Sequence, residues 1–293
     1  MIENFINDYE YYKNASLKKY NTYRLDVYAN YLIFPKTIEE LINLLRFLKE
    51  KELEYLILGG GSNVILARPV FDIVVKLDRL NKVIIDGNIV KAEAGVSLIS
   101  LSNTCMKEGL NGLSFAGGIP GLVGASTAMN AGAYKEEISE VVKEVKVITP
   151  DLEIITMSKK DLEYGYRDSF LKRNKDYICV ETVFEMKREN SEKIRSKMED
   201  RKRRRLESQP LDRPSAGSVF RNPEGLSSGK LIEDLGFKGY SIGGAMVSEK
   251  HANFIINTGT ATYEDIIELI DLIKKKVKRE YNIDLILEQE IIW

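Results

Sequence analysis

The sequence predicts a mixed α+β protein organised as two domains, and three observations support that expectation. In the first half, apolar runs of strand period alternate with runs of helical period. Between Lys187 and Gln209 the composition turns almost purely charged, which marks a change of organisation. Beyond it, short β-type runs lead to one long amphipathic helix and a closing strand. With 293 residues, 44% hydrophobic and 30% charged, the chain has core-forming material for two domains at roughly 100–200 residues each.

Taken in order, Tyr31–Phe34 reads as a strand, and Thr37 with Glu40 forms a T-x-x-E capping box. The helix it opens carries Ile38, Leu41, Leu45 and Leu48 on one face. Tyr55–Leu58 completes a βαβ unit that ends in Gly59-Gly60-Gly61-Ser62-Asn63, and Val64–Leu66 follows at once as another strand. Strand patterns at Ile73–Leu77, Lys82–Ile85 and Ile89–Ala94 precede a helix from about Leu98 to Lys107 that stops at Gly109. A glycine-dense stretch, Phe115 to Gly124 and on through Met129-Asn130-Ala131-Gly132-Ala133-Tyr134, separates this helix from strands at Val141–Ile148, Leu152–Thr156 and Tyr177–Met186. Lys187–Gln209, with Arg201-Lys202-Arg203-Arg204-Arg205, reads as a solvated helix joining the domains. Ser218–Arg221 and Asn253–Asn257 read as strands, Tyr263–Glu280 as a helix capped by Thr262, and Leu285–Trp293 as the last strand.

A formal net charge of −1 gives no global attraction for polyanions, so any phosphate must be held by local cations or backbone N–H groups. The basic run lacks interleaved aromatics, which argues against nucleic-acid binding. Neither Cys105 nor Cys179 has zinc or CxxC spacing, so no metal is expected and both read as buried thiols of a cytoplasmic protein. The polar N-terminus has no signal-peptide core, and no run reaches the ~20 apolar residues of a membrane span.

Two glycine-rich loops are the strongest local signal. Glycine allows left-handed backbone and close approach, and successive N–H groups can form an anion nest. A dinucleotide fingerprint should follow a strand and open a helix, whereas Gly59–Gly61 leads into a strand. Gly225-Leu-Ser-Ser-Gly229-Lys230 has three intervening residues where a P-loop needs four. Tight turns alone would also explain either loop by itself.

Seven segments in order resemble the UDP-N-acetylenolpyruvoylglucosamine reductase family. They are Leu-Gly-Gly-Gly-Ser-Asn (58–63), Gly-Gly-Ile-Pro-Gly-Leu-Val-Gly (117–124), Met-Asn-Ala-Gly-Ala-Tyr (129–134), Tyr-Arg-Asp-Ser (166–169), Ala-Gly-Ser-Val-Phe-Arg-Asn-Pro (216–223), Gly-Lys-Leu-Ile-Glu-Asp-Leu-Gly-Phe-Lys-Gly (229–239) and Ser-Glu-Lys-His-Ala-Asn-Phe (248–254). The resemblance implies a two-lobed FAD-binding domain of the vanillyl-alcohol-oxidase (PCMH) type over residues 1–195, with lobes of roughly 1–78 and 79–195. A smaller α/β substrate domain over 196–293 would follow it. It implies non-covalent FAD, NADPH as reductant and UDP-N-acetylglucosamine enolpyruvate as substrate, with a monomer expected. By the same resemblance, flavin contacts fall to Gly59, Gly60, Gly61, Ser62, Asn63, Gly117, Gly118, Ile119, Pro120, Gly121, Gly124, Asn130 and Gly132.

The family passes hydride to the enolpyruvyl methylene and then protonates the adjacent carbon. Ser218 matches the proton donor, and Arg167 and Glu290 match the groups that polarise the carboxyl and stabilise the enolate. A serine is a weak acid, yet a carbanionic centre is a strong enough base to take its proton. A guanidinium meets a carboxylate bidentately, and a proton-sharing Glu290 would need a raised pKa. Without the resemblance, Arg167 reads as a surface ion pair to Asp168, Ser218 as a strand serine and Glu290 as a sheet-edge charge. Tyr166, Asn222, Lys230 and His251 match substrate contacts, and one end of Arg201–Arg205 is a candidate for the diphosphate.

Some segments depart from the family. Thr22-Tyr23-Arg24-Leu25-Asp26-Val27 stands where the family has Thr-Phe-Arg, a hydrophobe and two glycines, and Gly124-Ala125-Ser126-Thr127 lacks a usual second glycine. The short spacing from Arg167 to Ser218 points to the branch without a substrate-covering tyrosine loop. Two other readings stay open at this level: another FAD-dependent oxidase or dehydrogenase of the same fold, and a non-catalytic nucleotide-binding module.

Overall fold

The structure, a computed structural model, describes residues 2–293. The chain forms two compact units, and neither is a continuous stretch. One holds the residues up to Lys13, Asn30–Gly60 and Asp72–Arg203; the other holds Asn14–Ala29, Gly61–Phe71 and Arg204–Trp293. Segments 14–29 and 61–71, expected within the flavin domain, fold with the C-terminal residues. The reason is strand pairing: Val64–Leu66 runs parallel to Glu290–Ile292, with Glu290 beside Val64.

Two larger sheets lie mostly within the first unit. A four-stranded sheet has the order Glu10–Ser16, Tyr28–Phe34, Val70–Lys76, Leu56–Leu58. The expected βαβ strands are therefore not neighbours, because Val70–Lys76 is inserted between them and pairs in parallel with Leu56–Leu58. Between them runs the helix Ile38–Glu50, whose Thr37 hydroxyl accepts the Glu40 N–H at 3.1 Å. The Glu40 carboxylate reaches one residue further back than the capping box predicts, to the Lys36 N–H at 2.7 Å. Leu41, Leu44, Leu45 and Leu48 bury against Ile33, Ile73 and Val75, each worth roughly 1.5–3 kcal/mol.

The second sheet is antiparallel in the order Ile154–Ser158, Val142–Ile148, Ile178–Glu185, Ile89–Glu93, Val83–Asp86. Its core takes in Leu98, Leu101 and Cys105 of the helix Leu98–Lys107, Val123 of the short helix Val123–Ala128, and Cys179. Burial pushes both thiols up to about 12, so they stay protonated.

The charged segment is a helix, Ser191–Ser208, but the solvated reading fails at three positions one turn apart. Ile194 and Arg201 are buried, and the Met198 methyl packs on Gly117. Arg201 is only 7% exposed; its guanidinium binds the Glu136 carboxylate and the Ser114 hydroxyl and lies 5.0 Å from the Tyr134 ring. Arg201 is thus committed to the first unit's own fold and is not a candidate for a substrate diphosphate.

In the second unit, the helix Tyr263–Tyr281 starts with a reciprocal Thr262–Asp265 capping box and ends at left-handed Asn282. Ile266, Leu269, Ile270, Ile273 and Val277 form its buried face. A three-stranded sheet, Ser241–Ile242, Ala245–Val247 and Ile255–Asn257, completes the unit. Two expected strands are shorter. Ser218–Arg221 is irregular apart from a bridge between Phe220 and Leu287, because left-handed Gly217 turns the chain just before it. The last strand is Glu290–Ile292 and not Leu285–Trp293. Among the described residues, no helix is long and apolar enough to cross a membrane.

Candidate active site

In the first unit the two glycine segments touch backbone to backbone. A Cβ built on Gly60 would lie 2.8 Å from Gly121 Cα, and one on Gly59 would lie 2.8 Å from the Ala125 methyl. No side chain fits at this crossing. The N–H groups of Gly60 and Gly121 donate to no carbonyl or side chain among the described residues. Two glycine turns in contact, carrying uncommitted donors, suit a phosphate-bearing cofactor. Three other predicted flavin glycines also have an internal reason to be glycine. Gly117 faces Met198, Gly124 lies against Ala94, and a Cβ on Gly132 would meet the Glu136 carbonyl at 2.6 Å.

The Tyr166–Arg167 turn is lashed to the Asn130–Gly132 loop. Asn130 is fully buried at φ +48°; its amide donates to the Gly165 carbonyl at 2.8 Å and its oxygen accepts the Ser139 N–H at 3.0 Å. Arg167, left-handed at φ +54°, donates to the carbonyls of Asn130 and Gly132. Ser169 donates to the Ala128 carbonyl at 2.6 Å, and Lys172 to that of Arg167 at 2.9 Å. The alternative reading of Arg167 as the ion-pair partner of Asp168 fails, since Asp168 pairs with Arg173. Asn130 is a brace for this loop, with its side chain spent on protein partners, whereas Tyr166 is exposed beside the guanidinium.

In the second unit, three segments far apart in sequence converge. Residues 219–221 run antiparallel to 286–288: Arg221 N–H bonds Ile286 O, and Glu288 N–H bonds Val219 O, both at 2.9 Å. Continuing that register sets Ser218 opposite Gln289 and next to Glu290. The glycine turn's tail joins them, with the Glu290 N–H on the Asn63 carbonyl at 2.9 Å and the Asn63 amide on the Glu288 carbonyl at 3.0 Å. A Cβ on Gly61, at φ +63°, would lie 2.0 Å from the Tyr20 carbonyl. Ser218 is half-buried, and its hydroxyl has no hydrogen-bond partner among the described residues.

The remaining substrate candidates form a separate cluster. Asn222 accepts the Ser228 N–H at 3.1 Å, just before the helix Ser228–Asp234. His251 packs on Gly229, and its Nδ1 accepts the Asn253 N–H at 3.2 Å. Burial lowers the proton affinity of His251, with Lys238 adding to that effect and Glu233 opposing it. Lys230 is exposed and pairs with Asp234 one turn on.

Gln289 and Lys76 are functional candidates that no local sequence pattern marks. Gln289 is 3% exposed between Glu288 and Glu290; its Oε1 accepts from the Tyr23 hydroxyl at 3.0 Å. Its amide donates to the carbonyls of Ala216 and Gly217 at 3.1 and 3.2 Å. The only sequence hint was Tyr23 standing where the family has phenylalanine. Lys76 looks like an ordinary strand-end lysine, yet it is buried and bound to the Gly59 carbonyl. No group of three or more His, Cys, Asp or Glu that could hold a metal occurs among the described residues.

Residues 29–158 match the family described as FAD binding domain, and residues 209–292 match the C-terminal domain of UDP-N-acetylenolpyruvoylglucosamine reductase. The UDP-N-acetylenolpyruvoylglucosamine reductase of Caldanaerobacter subterraneus subsp. tengcongensis is 41% identical over 292 residues, covering 99% of this chain and 96% of that protein. The crystal structure of the reductase (MurB) from Thermus caldophilus superposes with a TM-score of 0.80 at 33% identity, covering 97% of this chain and 98% of that one. A Physcomitrella patens BBE-like protein shares the fold alone, at 14% identity and a TM-score of 0.50, covering 64% of this chain and 44% of its own.

Proposed function

This chain belongs to the UDP-N-acetylenolpyruvoylglucosamine reductase family, and from that premise we propose that it reduces UDP-N-acetylglucosamine enolpyruvate to UDP-N-acetylmuramate during peptidoglycan precursor synthesis, drawing on NADPH. When bound, FAD would supply two-electron hydride chemistry between NADPH and the enolpyruvyl group. The backbone at Gly60 and Gly121 would hold its diphosphate, because donors with no side chain in front of them can approach an anion closely.

Each catalytic side chain then has a task suited to its setting. The guanidinium of Arg167, held by the carbonyls of Asn130 and Gly132, pairs with the substrate carboxylate and draws charge toward it. The Ser218 hydroxyl gives its proton to the carbon beside that carboxylate, and its lack of a protein acceptor leaves that proton uncommitted. Glu290, pinned through its N–H to Asn63, shares a proton with the enol oxygen. Tyr166, Asn222, Lys230 and His251 contact the sugar nucleotide. His251 does so as a neutral ring, since burial disfavours its charged form.

The observation that carries this reading is the convergence of Asn63, Ser218 and Glu290 in the second unit. The test is anaerobic spectroscopy of the flavin-reconstituted protein. NADPH should bleach the yellow spectrum, and UDP-N-acetylglucosamine enolpyruvate should restore it. Bleaching without restoration would overturn the substrate, and failure to take up FAD would overturn the reading as a whole.

A further inference from the structure

Lys76 has no place in the chemistry above, yet it occupies a position that a lysine does not take without a reason. It is 2% exposed at the end of an interior strand, directly beside Leu58 in the parallel ladder. Burial lowers its affinity for a proton, while Asp78, 3.2 Å from the ammonium, opposes that loss. An apolar residue would fill the same space without the desolvation cost. The ammonium donates to the carbonyl of Gly59, the first residue of the glycine turn.

That bond has a consequence one atom along the chain. The Gly59–Gly60 peptide is trans, so its carbonyl and the Gly60 N–H point in opposite directions from one rigid plane. Drawing the carbonyl toward the buried ammonium turns the N–H away from the core. This is the N–H that finds no acceptor in the protein, on the glycine whose Cα face meets Gly121. We propose that Lys76 is a positioning residue for dinucleotide binding. By holding the Gly59 carbonyl it presents the Gly60 N–H to the ligand diphosphate and places a buried positive charge behind it. The proposal rests on the flavin reading above and adds a residue to it.

The test compares ligands with and without the diphosphate. Flavin-free wild type and Lys76→Met are titrated with FAD and with riboflavin, following flavin fluorescence. In the variant FAD should bind roughly 10- to 100-fold more weakly, the usual worth of a charge-assisted hydrogen bond, while riboflavin affinity stays within about twofold. Equal weakening of both ligands would make Lys76 a structural residue, and no weakening of FAD would overturn the proposal. Should Lys76→Met fail to fold, wild type labelled at glycine carbonyl and amide reports Gly–Gly peptides alone. The Gly60 amide proton should then move downfield on adding FAD and also on adding ADP; an unmoved signal overturns the proposal. Wild type that binds no FAD would instead sink the functional reading.

Discussion

Removing the Tyr23 hydroxyl tests how the Ser218 segment is held. In Tyr23→Phe the ring still fills its fully buried site, but Gln289 Oε1 loses the only donor shown for it. A buried acceptor left unpaired costs about 1–3 kcal/mol. Gln289→Leu has a larger effect, because the Tyr23 hydroxyl and the carbonyls of Ala216 and Gly217 all lose a partner. Three groups at that rate, offset by burial of an apolar side chain, give roughly 2–5 kcal/mol. In the double variant the Tyr23–Gln289 bond has no survivor to strand, so its cost should fall short of the sum of the singles by about 1–2 kcal/mol. Urea unfolding of the four flavin-free proteins, followed by circular dichroism, measures this cycle. Additivity within about 0.5 kcal/mol would refute the relay, and Gly217, left-handed at φ +77°, would have to be held by other contacts.

Further outcomes follow from the same geometry. Ser218→Ala should leave bleaching by NADPH nearly intact while slowing reoxidation by the enolpyruvyl sugar roughly 100- to 10,000-fold; stopped-flow traces with both half-reactions slowed alike would remove Ser218 from the proton-donor role. Arg201→Met should lower stability by roughly 1–3 kcal/mol. That is less than a fully buried pair would cost, because Glu136 is partly exposed and keeps Lys197 at 2.8 Å. Arg203→Met, on an exposed pair, should stay within about 0.5 kcal/mol, and equal melting losses would contradict the buried role of Arg201. Because burial lowers the proton affinity of His251, the unfolded chain takes up its proton first as pH falls below about 6.5. Stability from neutral His251 is therefore present above that pH and lost as pH falls through the lowered folded value. His251→Gln should melt with a shallower pH dependence as pH falls below about 6.5, and parallel curves would show that His251 contributes nothing there.

Local signals were legible in the chain itself. Helix starts at Thr37 and Thr262, the helix Leu98–Lys107 and most strands of the antiparallel sheet follow from caps, glycine stops and periodicity within a few residues. The glycine turns were visible as well, because left-handed backbone and close approach select a residue type at the position itself. What those glycines approach was not visible. Gly60 meets Gly121, and Gly117 meets Met198, through contacts that only the assembled unit creates.

The charged helix shows why composition misleads at single positions. Its mean character is solvated, yet a 3.6-residue period still carries Arg201 into the core, where Glu136 and Ser114 await it. Tyr23 and Gln289 are 266 residues apart, and no local pattern announces a hydrogen bond between them. By itself, then, the sequence determined where the longer helices and the glycine turns form, since those depend on neighbours along the chain. Tertiary structure decided that Ser218, Glu290 and Asn63 come together, that Gln289 and Lys76 support the site, and that residues 61–71 fold with the C-terminal unit. Each of these is set by pairing and burial between distant segments, whose energies exist only once the segments are side by side.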